Sequence, residues 1–100
     1  MELLPDTRGH FNLGTAVADV IYSPMSRAWG WWAYAPVNPP EIKALKDLIS
    51  VHIALTSYGY KAEVENLDGF RPGIDFIGIR IPKELEETIL INHDARGLRG

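Results

Sequence analysis

From Thr15 to Tyr22 the chain alternates, with Val17, Asp19 and Ile21 on one side and Ala16, Ala18, Val20 and Tyr22 on the other. A period of two with β-branched residues predicts a strand, although the alanines also permit a helix, and Ser23-Pro24 ends it. Residues 28–35, AWGWWAYA, carry no charge and lie between Pro24 and Pro36. An aromatic segment this short between two breakers fits a strand better than a helix. With the preceding run it makes a hairpin.

The next element is a long helix over about residues 39–58. Asn38 can cap it, Pro39 and Pro40 tolerate the first turn, and Glu41 suits the positive end of the dipole. At 100° per residue, Ile42, Ala44, Leu45, Leu48, Ile49, Val51, Ile53 and Leu55 fill one arc, and Lys43, Lys46, Asp47, Ser50 and Ser57 fill the other. His52 falls at the centre of the apolar arc, between Leu45 and Leu48. Gly59 is a natural terminator.

Two further strands are predicted at Tyr60 to Leu67, with one solvated face, and at Ile74 to Ile81, apolar at nearly every position. Asp68-Gly69 and Pro72-Gly73 between them are turn chemistry, so they form a second hairpin with a long tip. Phe70 on that tip is either folded back over the core or offered to a partner. After Pro82, three early glutamates suit a short second helix over about 83–92, with a strand at Thr88 to Asn92 as the alternative. Residues 1–14, broken by Pro5, Gly9 and Gly14, read as an irregular arm, and 94–100 as a frayed tail. The expected fold is one α+β domain, a two-layer sandwich with a mainly antiparallel sheet in ββαββα order.

The charge balance narrows the partners. Ten Lys and Arg stand against thirteen Asp and Glu, a net charge of −3. No two cations are adjacent, which argues against a nucleic-acid backbone as partner. With no cysteine there is no disulfide, thiolate metal site or cysteine nucleophile. No basic-then-apolar leader opens the chain and no apolar run approaches the ~20 residues of a membrane span. The expected location is cytoplasmic, away from membranes.

Catalytic chemistry finds little footing. The glycine spacing at Gly9 to Gly14-Thr15 resembles a phosphate loop but lacks its lysine and a preceding strand. His10, His52 and His93 share no metal-binding spacing, so no metal, cofactor or catalytic set is assigned, and enzyme activity is disfavoured. His52 is expected to be buried against the sheet and hydrogen-bonded, or else to line a ligand pocket. Asp19 and Asp75 sit inside apolar strands, and either pairs with an arginine such as Arg80 or marks an edge strand.

The aromatic block carries the most. Alternation sets Trp29 and Trp31 on one face and Trp32 and Tyr34 on the other. A two-layer domain covers one sheet face, so a tryptophan should be exposed or covered from outside the chain. The alternative is that loops or the N-terminal arm cover the rings. Trp29, Trp31, Trp32, Tyr34 and Phe70 are therefore the expected partner surface of an interaction module, an inhibitor, adaptor or accessory subunit. The partner is another protein or a second copy. A small-ligand protein or enzyme built around His52, and a homo-oligomeric assembly subunit, are the competing readings.

Overall fold

The computed structural model describes residues 6–24, 29–67 and 70–91. Alternation begins earlier than the glycines suggest. Thr7, Gly9, Phe11 and Leu13 point one way and Arg8, His10 and Asn12 the other, and Thr7–Leu13 is a strand, β1, rather than an arm. Gly14, at φ +63°, with Thr15 turns the chain into β2, Ala16–Ser23. Gly9 was misleading because its missing side chain serves packing. A Cβ there would lie 2.8 Å from Ile89 and 2.9 Å from the Leu90 carbonyl oxygen.

The aromatic run becomes β3, Gly30–Asn38. The helix α1 spans Ile42–Ser57, three residues later than predicted at its start. Glu41 occupies the N-cap position without a side-chain hydrogen bond, while Asn38 donates through Nδ2 to the Asp75 carboxylate at 3.3 Å. Gly59, at φ +88°, follows the helix as expected. Then come β4, Val64–Asn66, β5, Asp75–Arg80, a 3₁₀ turn at Lys83–Thr88, and β6, Leu90–Ile91. The ββαββα order is thus replaced by three strands, a helix, two strands, a 3₁₀ turn and a last strand. The short second helix expected over 83–92 is present in part, as 3₁₀ at Lys83–Thr88, because its apolar residues hold no α-helical face, and its end pairs with β1 as a strand at Leu90–Ile91, within the span of the strand alternative.

The sheet is antiparallel with strand order β4-β5-β3-β2-β1-β6. β2 pairs with β3 only from Val20↔Ala33 to Ser23↔Gly30, although both strands run on past that point. α1 lies over this divergence and touches β2 and β3 far more than β1 or β5. Its Leu48, Val51 and Leu55 pack onto Phe11, Val20, Trp31, Ala33 and Ile79 to form the main core. Ile21, Trp32, Leu67 and Phe76 form a second, smaller core on the opposite sheet face. Among the described residues no helix is long and apolar enough to cross a membrane.

Candidate functional site

The aromatic strand covers itself. Trp31 is 3 % exposed in the main core and Trp32 is 1 % exposed in the second. The covering on the far face is the returning β4–β5 connection. Leu67 is buried there, and Phe70 stacks edge-on against Phe76 at 4.8 Å and Tyr34 at 5.3 Å. Phe70 is therefore folded back. Tyr34 is held by Arg8, whose Nη1 donates to the phenol oxygen at 2.7 Å. The premise that a two-layer domain leaves one tryptophan pair open fails here, because a loop does the work of a second layer. Trp31 and Trp32 have no solvent face to present. Trp29, 48 % exposed and stacked on Tyr22 at 5.4 Å, reaches solvent, and Tyr34 and Phe70 are half-buried.

Among the described residues α1 carries more exposed large apolar side chains than any other element. Its apolar arc is about 200° wide, from Val51 round through Leu48, His52 and Leu45 to Ile49, Ile42 and Ile53. The chain buries the first part, Val51, Leu55 and Leu48. At the other end Ile42, Ile49 and Ile53 are 60 %, 58 % and 58 % exposed. These three lie within about 40° of each other and make a crest along the outer side of the helix. Below the crest runs a groove of about 300 Å³ between α1 and the strands β4 and β5, lined by Leu45, Leu48, Ile49, His52, Val64 and Ile77. Val64 is itself half exposed, on a three-residue strand at the sheet edge.

His52 is half-buried in this groove rather than buried against the sheet. The reason is phase. The buried centre of α1 lies between Val51 and Leu48, and His52 sits about 70° round from it, where the covered half of the arc gives way to the open half. No hydrogen bond to its imidazole is found among the described residues. His52→Leu is expected to fold, with a higher urea midpoint corresponding to about 0.5–1 kcal/mol of added stability, since it adds apolar contact and orphans no donor. A lower midpoint would show that the imidazole has a partner.

Two polar features lie elsewhere. His10 Nδ1 and Asp19 Oδ1 are 2.9 Å apart across the β1–β2 hairpin, both well exposed. Asp19 thus meets a histidine and not Arg80, and β2 is an interior strand. Arg80 instead donates from Nη2 to the Trp29 carbonyl at 2.8 Å. Where β2 and β3 part, a cleft of about 380 Å³ is lined by Ala18, Asp19, Tyr34, Glu41, Lys43 and Asp47 among others. Lys43 bonds Asp47 at 2.8 Å, and that carboxylate holds the ammonium above the usual lysine range. No group of three or more His, Cys, Asp or Glu placed to hold a metal occurs among the described residues. No known protein family, curated protein or solved structure matches the chain.

Proposed function

We propose that this chain is a small protein-interaction module, an inhibitor, adaptor or accessory subunit, that works through the open half of α1 and the groove beside it. One observation carries the reading: the helix has an apolar arc about twice as wide as the sheet beneath it covers. Three isoleucines at a spacing of seven and four residues are costly to leave in water, and contiguous exposed apolar surface marks contact sites. This moves the contact surface away from the aromatic strand, whose two central tryptophans are spent on the chain's own cores. Tyr34 and Phe70 on the other sheet face form the rival surface, while Trp29, stacked on Tyr22 next to Trp31, lies on the α1 side.

A photo-crosslinking residue at position 49, introduced in the cells that make the protein, is expected to trap protein adducts, while one at Ser50 on the polar side is not. Ile49→Glu is expected to abolish the adducts made from position 53 and to change folding stability by less than about 0.5 kcal/mol, because the side chain is mostly solvated. Equal labelling from positions 49 and 50 would overturn the reading. The groove also supports a second one. Its lining is apolar apart from His52, as a site for a small apolar ligand would be. A rise in melting temperature with medium-chain fatty acids, lost in Ile77→Trp, would favour it.

A further inference from the structure

We infer that the occupant of this surface is a second copy of the chain, packed face to face so that the α1 crest of each copy enters the groove of the other. The inference rests on the interaction reading above and deepens it. A two-fold contact needs one surface that carries both a projection and its matching recess. This face carries both. Ile42, Ile49 and Ile53 project, and Val64 and Ile77 floor a recess directly beside them.

A helix is about 10 Å across and neighbouring strands are about 4.8 Å apart, so α1 covers about two of the six strands, β2 and β3. On the same face of β5, Ile79 and Ile81 are closed over, with Tyr60 and Ala62 packed against their cluster. What stays open beside the helix is the groove at Ile77 and Val64, whose 300 Å³ takes a few side chains and not a whole helix. A flat partner lying on the crest would leave that groove empty. A second copy fills both at once, its crest isoleucines supplying the side chains that enter the groove.

Area and charge are consistent with this. Ile42, Ile49, Ile53 and Val64 together expose about 400 Å², and a stable interface takes about 800 Å² from each partner. The half-buried Leu45, His52 and Ile77 and the polar margin of the helix supply the remainder. No crest or groove residue is an Asp, Glu, Lys or Arg, and the nearest charge round the helix is Lys46, at the polar margin beside Ile53.

Sedimentation equilibrium of the full chain between about 1 and 100 µM is expected to show a monomer–dimer equilibrium, with Ile49→Glu weakening the dimer at least about tenfold. The absence of cysteine makes the geometry directly readable. Mixing Ile42→Cys or Ile53→Cys chains with Val64→Cys chains under mild oxidation should give the mixed disulfide in excess of either symmetric one. A dominant Val64→Cys symmetric disulfide would mean that the β4 edges pair instead, and would overturn the face-to-face arrangement. A chain that stays monomeric at 100 µM would overturn self-association itself. If position 49 still trapped another protein in cells, only the choice of occupant would fall, and the interaction reading would stand.

Discussion

Trp31→Ala and Trp32→Ala are each expected to cost about 3–5 kcal/mol of folding stability, although the two rings lie on opposite faces of one strand. Both are buried in a closed apolar cluster, one under α1 and the other under the β4–β5 connection. Neither site can collapse around the cavity, because each ring is bounded by paired strands. Trp29→Ala should cost less than about 1 kcal/mol, since half of that ring is already in water. Urea denaturation of the three variants checks the pattern. Trp32→Phe sharpens it, for Trp32 Nε1 is buried with no hydrogen-bond partner among the described residues. Removing an unsatisfied donor offsets part of the lost contact, so this change should cost much less than the alanine. If Trp32→Ala proved as mild as Trp29→Ala, the second core would not be holding the fold.

Gly78→Ala is expected to destabilise by about 2–3 kcal/mol, where glycine to alanine in an ordinary strand is neutral or helpful. A Cβ at this position would lie 2.6 Å from Leu67 Cδ1 and 2.8 Å from the Ala33 carbonyl oxygen. The leucine can swing aside, but the carbonyl belongs to β3, paired directly with β5, and cannot move without parting the strands. The double variant Gly78→Ala, Leu67→Ala should therefore recover only part of the sum of the single losses. Strict additivity in thermal or urea unfolding would show that the two residues do not meet.

Which elements could be read from the amino-acid order follows from how local their causes are. α1, β2, β3 and β5 announce themselves by period, breakers and β-branched or aromatic content, and each is present within a few residues of its expected span. β1 does not, because Gly9 looks like a break until Ile89 and Leu90, far along the chain, are placed beside it. The His10–Asp19 pair depends on the same strand. A two-residue turn at Gly14-Thr15 fixes the hairpin register, and that register sets position 10 opposite 19. The signal was there once β1 is granted. β4 was predicted longer than it is, since its polar alternation is indistinguishable from that of an exposed loop.

At the candidate site the apolar residues of α1 were legible and their division was not. The wheel shows an arc with His52 in its middle, but only the position of the sheet decides which part of an over-wide arc is covered. The aromatic surplus misled for a related reason. Counting layers from predicted helices omits loops, and Leu67 and Phe70 come from a segment whose turn residues say only that the chain reverses. Expectations for the tail from position 92, His93 included, lie outside the described residues.

The pairing of β1 has a consequence for the order of events in folding. One edge of this strand meets β2 across a two-residue turn, and the other meets β6 through Gly9↔Ile91. The first closure is as local as a hairpin can be and belongs to the microsecond range. The second must wait until almost the whole described chain has been made and arranged. During synthesis the nascent hairpin therefore carries an unprotected rim at Gly9 and His10. Of the described residues, the last to arrive at the sheet are the ones that seal its first described strand.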